Sequence, residues 1–208
     1  MQVAIVLYPG FTSLDVIGPY EVLGRLPDTE VVFVAEHPGL VVNDLRSLSI
    51  NAVASFDEVP NPDVVVVGGG PGQMEQMTNE NLHEWLRKVD RTSTWTASAC
   101  TGSMLLAAAG LLEGRQATTH WAGHEILAKL GVTPSKERVV IDGHYATAAG
   151  VSAGIDMALT LAGLIAGDDV AQTIQLIIEY APEPPYHAGS PDSAPAEVVE
   201  RAMKEISA

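Results

Sequence analysis

Two short apolar runs, each opening into small residues, most constrain this chain: Val64–Gly72 (VVVVGGGPG) and Thr94–Gly102 (TWTASACTG). Runs rich in β-branched residues with no polar alternation are what strands need when both faces of a sheet are covered. Ending such a strand in glycines gives a tight turn at its carboxyl end. The second run holds the only cysteine, Cys100, at the turn from strand to helix. A nucleophile in a sharp strand-to-helix turn needs small neighbours, and Ala99, Thr101 and Gly102 supply them. A helix starting near Thr101 is expected to aim its N-terminal N–H groups at the sulfur and so favour thiolate.

The rest of the chain repeats the strand–helix alternation. Val3–Leu7 reads as a first strand ended by Tyr8-Pro9-Gly10. Ser13-Leu14-Asp15 leads into a helix, with Pro19 placed in its first turn. Val31–Ala35 is a second strand, and 40–53 holds short strands or a hairpin. Helical spacing marks Asn79–Val89, Thr101–Leu112, Trp121–Leu130, Ala153–Ala166, Val170–Tyr180 and Ala196–Ile206. Val139–Ile141 and Tyr145–Ala148 form a hairpin around Asp142-Gly143. The fold expected is α/β: a three-layer sandwich with a mostly parallel sheet and helices on both faces. All 208 residues are read as one domain, with 180–208 a proline-rich arm and final helix. Sites in such sheets lie at the carboxyl ends of strands, where both glycine-rich turns fall.

Composition narrows the function classes. Eleven basic residues against 26 acidic give a net charge of −15, which phosphate backbones repel, so nucleic acid is not an expected partner. No run is long and apolar enough for a membrane span, and no leading segment has signal-peptide character, so a cytoplasmic location is expected. A single cysteine excludes an internal disulfide framework.

Gly68-Gly69-Gly70-Pro71-Gly72 lacks the third glycine of a dinucleotide fingerprint and the Lys-Ser/Thr of a P-loop. It reads as a tight turn, or as an anion pocket in which the N–H of Gly69 or Gly70 joins that of Thr101. Asp15 sits among Leu14, Val16 and Ile17. It is a helix-capping carboxylate or a general acid–base beside the thiol, with Glu21 as its rival. His120 is a possible base for Cys100, or a structural neighbour of it. His120 and His124 are four apart, but no third ligand is evident and no metal is expected. His187 and Asp192 in the arm read as surface residues.

With these residues placed, the chain resembles the ThiJ/PfpI superfamily, whose fold is like that of class I glutamine amidotransferases, and within it the isonitrile hydratases. The resemblance rests on LDVIGPYEVL (14–23), VGGGPG (67–72), SACTGS (98–103), AAGLLEGRQATTHWAGHE (108–125), ERVVIDG (137–143), GVSAGIDMALTLA (150–162) and EYAPEPPYHAGSPDSAPAEVV (179–199). It implies a nucleophile at Cys100, an active-site aspartate at Asp15 and a supporting threonine at Thr101. It also implies a homodimer, no cofactor, and an isocyanide and water as substrates. Many protease-, deglycase- and glyoxalase-like members carry histidine where Thr101 stands. Gly68 replaces an expected proline, and Val151 and Ser152 replace Ile and Thr, changes that bear on pocket shape. The alternatives are another cysteine-dependent hydrolase or glyoxalase, a redox or stress sensor using Cys100, and a binding module without catalysis.

Overall fold

A computed structural model describes residues 1–206, which fall into two compact units, Met1–Ile178 and a unit from Glu179 onward. The strands of the first unit are β1 (Gln2–Val6), β2 (Glu30–Ala35), β3 (Gly39–Val42), β4 (Ser49–Ala52), β5 (Ala54–Ser55), β6 (Val64–Val67), β7 (Trp95–Ala99), β8 (Gln116–Ala117), β9 (Thr133–Pro134), β10 (Val139–Asp142) and β11 (Tyr145–Ala148). Its helices are α1 (Ser13–Leu23), α2 (Gln73–Gln76), α3 (Glu80–Asp90), α4 (Gly102–Ala108), α5 (His124–Lys129), α6 (Ala153–Ala166) and α7 (Asp168–Ile177).

The main sheet has the order β10-β11-β7-β6-β1-β2-β5, parallel throughout except for the β10–β11 hairpin at one edge. The chain steps from β1 to β2 in one direction and from β6 to β7 in the other. Right-handed crossovers therefore place α1 and α3 on opposite faces. α6 packs along α1 and against β7 and β11, while α4 packs with α3 and α5. This double cover explains the unbroken apolar strands: all four residues of β6 are fully buried. The reversal of strand order falls between β1 and β6. The crevice beyond their carboxyl ends is where open α/β sheets bind ligands.

Three local expectations are corrected. α1 begins at Ser13, so Pro19 lies inside the helix rather than in its first turn. Lacking an N–H, Pro19 leaves the Asp15 carbonyl without its helical partner. The segment 121–130 is a 3-10 turn at Trp121–Gly123 followed by α5, with His120 as the cap residue of the turn. His120 and His124 therefore do not share a helical face. α4 stops at Ala108, where left-handed Gly110 (φ 83°) turns the chain away.

Gly102 fits here for close approach. A Cβ on it would be driven into the Val67 carbonyl and the Gly68 backbone, because α4 begins directly against the end of β6. Backbone cannot retreat as a side chain does. Gly102→Ala is expected to cost at least about 3 kcal/mol. Urea denaturation checks this, and a loss below about 1 kcal/mol would contradict the packing.

The second unit consists of an irregular proline-rich segment followed by α8 (Ala196–Ile206). α8 is amphipathic, and Val198, Met203 and Ile206 on its apolar side are exposed. His187 and Asp192 are exposed in the irregular segment.

Candidate active site

Cys100 follows β7 with φ 56°, a left-handed conformation that a non-glycine residue rarely adopts. The elbow is over-determined by its hydrogen bonds. The Cys100 N–H donates to the carbonyls of Ala148 (3.1 Å) and Ala149 (2.9 Å). Its carbonyl accepts from the hydroxyls of Thr119 (3.0 Å) and Ser103 (3.3 Å). Strain of this kind persists where the surroundings hold it, and it turns the side chain out of the strand toward the crevice.

Asp15, in the first turn of α1, is completely buried. Its Oδ2 accepts the Gly69 N–H at 2.8 Å. Its Oδ1 takes no N–H or O–H donor. The other hydrogen-bonding group that acts on the carboxyl is the Cys100 thiol. Burial raises the Asp15 pKa from its usual 3.8 to about 7, against the lowering effect of the Gly69 N–H and the thiol.

The thiol is also pushed strongly upward, first by burial and then by the Asp15 charge. The N–H groups of Thr101 and Val151, hydrogen-bonding to the sulfur, oppose this only in part. The expectation of a standing thiolate is therefore corrected. The short helix α4 does not overcome desolvation and a neighbouring carboxylate. Thiol and carboxyl instead share one negative charge near neutrality, since a second buried anion beside the first is costly.

The glycine turn has a different role from that of an anion pocket. Gly69 is committed to Asp15, and the Gly70 N–H donates to Thr101 Oγ1 at 3.2 Å. Both N–H groups are thus engaged within the protein. Gly69 lies so close to the Thr101 backbone and hydroxyl that any side chain would collide with them. The turn locks β6, the elbow and α1 together. The N–H groups directed at the sulfur are those of Thr101 and Val151, so Val151 belongs to the site through its backbone.

Glu21 is corrected out of the site: it is exposed and paired with Arg25 at 2.7 Å. Six residues beyond Asp15, it projects from another side of the helix. His120 stays close, its ring packed against Gly150, and its Nδ1 accepts the Ala122 N–H at 3.3 Å. It is not among the groups that set the thiol's proton affinity. Burial, then His124, lowers its pKa. Among the described residues no three His, Cys, Asp or Glu side chains form a metal-binding group, and no helix is long and apolar enough to cross a membrane.

Two residues escaped the sequence reading. Tyr8, at the end of β1, is buried and donates its hydroxyl proton to the Gly68 carbonyl at 2.8 Å, bracing the glycine turn. Burial and the nearby Asp15 and Cys100 charges push its pKa well up, so it remains a neutral donor. Asp44 accepts a hydrogen bond from Thr12 Oγ1 at 2.7 Å, beside the start of α1. Neither has a motif of its own; only the fold brings them to the crevice.

Comparison with known proteins identifies the family. Residues 1–163 match the DJ-1/PfpI family. The chain is 44% identical over 204 residues to an isonitrile hydratase of Pseudomonas putida, covering 98% of this chain and 89% of that protein. It is 34% identical over 173 residues to the HTH-type transcriptional regulator CdhR of Pseudomonas aeruginosa, covering 79% of this chain but 51% of the regulator. A crystal structure of a ThiJ/PfpI family protein from Pseudomonas syringae superposes with a TM-score of 0.95 at 33% identity, covering 99% of this chain and 86% of that one. The fold, the left-handed cysteine elbow and these similarities lead to one assignment: this chain belongs to the DJ-1/PfpI family.

Proposed function

We propose that this protein is an isonitrile hydratase, converting isocyanides to N-substituted formamides without a cofactor. The observation that carries the reading is the buried Cys100–Asp15 pair at the elbow. It is supported by the 44% identity, along almost the whole chain, to the hydratase of Pseudomonas putida.

An isocyanide, R–N≡C, is a neutral molecule whose terminal carbon accepts a soft nucleophile and then a proton. The pair supplies both. Asp15 takes the thiol proton as sulfur attacks, so the thiolate exists only when the substrate carbon is there to receive it. The N–H groups of Thr101 and Val151 steady the charge on sulfur. Asp15 then returns the proton to carbon, giving the thioimidate R–N=CH–S–Cys100. Water adds across the C=N bond, placing OH on carbon and H on nitrogen. Collapse of R–NH–CH(OH)–S–Cys100 breaks the C–S bond, releases R–NH–CHO and restores the thiol. Every atom of R–N≡C and H₂O is in the product. On this reading Asp15 also activates the water, because it is ionised again after each transfer.

The test is formamide formation from p-nitrophenyl isocyanide, followed by its ultraviolet change, with methylglyoxal as a control substrate. Turnover of the isocyanide is expected. Turnover of methylglyoxal alone would overturn the reading in favour of another cysteine enzyme.

The pH profile provides a further check. With Asp15 at about 7, the attacking form loses its base as pH falls through neutrality. kcat/KM is expected to decline about tenfold per unit on the acid side. A profile flat from pH 5 to 8 would remove Asp15 from the mechanism. The same reading assigns a cytoplasmic homodimer, and light scattering tests the dimer: a monomer at micromolar concentration would remove that assignment.

A further inference from the structure

The turn between β3 and β4 is fastened across the segment that leads into α1. Gly10 N–H donates to the Val42 carbonyl at 2.9 Å, and Asp44 N–H to the Phe11 carbonyl at 3.0 Å. Asn43 closes the turn by accepting from the N–H groups of Ser47 and Leu48, and its amide donates to Ser13 Oγ at 2.9 Å. The Asp44 carboxylate is thereby held at the start of α1. Its Oδ1 accepts the Leu45 N–H at 2.8 Å, and its Oδ2 the Thr12 hydroxyl at 2.7 Å.

Thr12 is the N-cap residue of α1, where a threonine oxygen ordinarily accepts a helical N–H. Here it makes no such cap and donates to Asp44 instead. Thr12 also donates its N–H to the Gly69 carbonyl at 2.9 Å, and Gly69 donates to Asp15. A second carboxylate is thus built into the support of the first, one turn of helix away. No cation is interposed in this chain of hydrogen bonds.

We propose that Asp44 is a positioning residue for the reaction: the β3–β4 turn holds its carboxylate at the start of α1, where through Thr12 and Gly69 it bears on the Asp15–Cys100 pair. The inference rests on the proposed role of that pair. The groups facing Asp15 are consistent with it. From the end of β1 comes neutral Tyr8, from the elbow the Cys100 thiol, from the β6 turn the Gly69 N–H, and from the hairpin Asp44. Asp156 of α6, which packs along α1, is engaged by Arg138 at 2.6 Å. Burial is the largest influence on the proton affinity of both Asp15 and Tyr8; the Asp44 charge acts in the same direction as the smallest of the contributing effects, behind the Gly69 and Cys100 hydrogen bonds at Asp15 and the Asp15 and Cys100 charges at Tyr8. A carboxylate at this point adds to burial in keeping Asp15 protonated near neutrality.

Alkylation of Cys100 by iodoacetamide, followed across pH by intact mass, tests this without any isocyanide. The chain has a single cysteine, so every adduct reports this site. Asp44→Asn and Asp44→Ser keep an acceptor for Thr12 and remove the charge. Either is expected to shift the acid limb of the alkylation profile down by about half a pH unit or more, with an unchanged plateau. In wild type, 1 M KCl is expected to shift the limb in the same direction, which keeps the test open if neither variant folds. Limbs superimposed on wild type, or unmoved by salt where no variant folds, would overturn the role of Asp44. A shifted limb in a protein that does not hydrate isocyanides would support Asp44 and refute the hydratase reading; turnover with unmoved limbs would do the reverse.

Discussion

Cys100→Ala is expected to lower isocyanide turnover by at least about a thousandfold, since the covalent route is lost entirely. The folded state should change little. Alanine at φ 56° carries the same backbone strain as cysteine, and the hydrogen bonds that hold the elbow are made by backbone atoms and by Thr119 and Ser103. The deleted sulfur leaves a gap at the crevice, so a stability loss of about 1 kcal/mol or less is expected. Intact mass gives a second readout. Wild type quenched during turnover should gain the full mass of the isocyanide, because thioimidate formation is an addition with no leaving group. Cys100→Ala should gain nothing. Full turnover by the variant, or a wild-type adduct lighter than the isocyanide, would remove the thioimidate from the mechanism.

Asp15→Asn should separate activity from stability. Loss of the proton carrier is expected to slow turnover by about 10²–10⁴-fold. Stability should move the other way above neutral pH. The Asp15 pKa is about 7 in the folded protein and 3.8 in a solvated chain. Between these values the folded state binds more protons than the unfolded one, so its stability falls as pH rises. The favourable contribution is whole below pH 4 and gone above pH 7. At about 1.4 kcal/mol per unit the full span is of the order of 4 kcal/mol. Asparagine has no charge to desolvate, and its carbonyl oxygen still accepts from Gly69. The variant should therefore gain on wild type as pH rises, with little difference near pH 4 and up to a few kcal/mol at pH 8. Urea denaturation at both pH values measures this. A stability difference that does not change with pH would show that the Asp15 pKa is not raised on folding.

This opposition makes chemical sense. A buried carboxyl that costs stability when ionised is also one whose carboxylate takes the thiol proton readily and still carries a proton to deliver near neutral pH. The Asp15–Cys100 pair is kept in that condition by the closeness of α1, the β6 turn and the elbow. Those three approaches depend in turn on Gly69 and Gly102.

The strands were legible because the parallel sheet is covered on both faces, which forces unbroken apolar runs such as Val64–Val67. Cys100 was legible for a related reason: a cysteine closing such a run, among residues too small to block it, has few other uses. Asp15 and Glu21 could not be separated by composition or spacing. The helix itself separates them, since six residues of rotation carry Glu21 to Arg25 and solvent while Asp15 turns inward. The start of α1 was misplaced because Pro19 favours a first turn on local grounds. Packing of α1 against α6 sustains the helix through it.

By itself, the sequence determined the strand–helix alternation, the doubly covered sheet and the cysteine elbow, because each is written in contiguous residues whose pattern has a local physical meaning. Only the tertiary structure decided the donors and the charges. Gly69 and Gly70 turned from anion binders into braces for Asp15 and Thr101, the resting sulfur from thiolate to thiol, and Tyr8 and Asp44 became part of the site. Proton affinity in a crevice depends on burial and on groups tens of residues apart in the chain, and those distances exist only once the sheet has assembled.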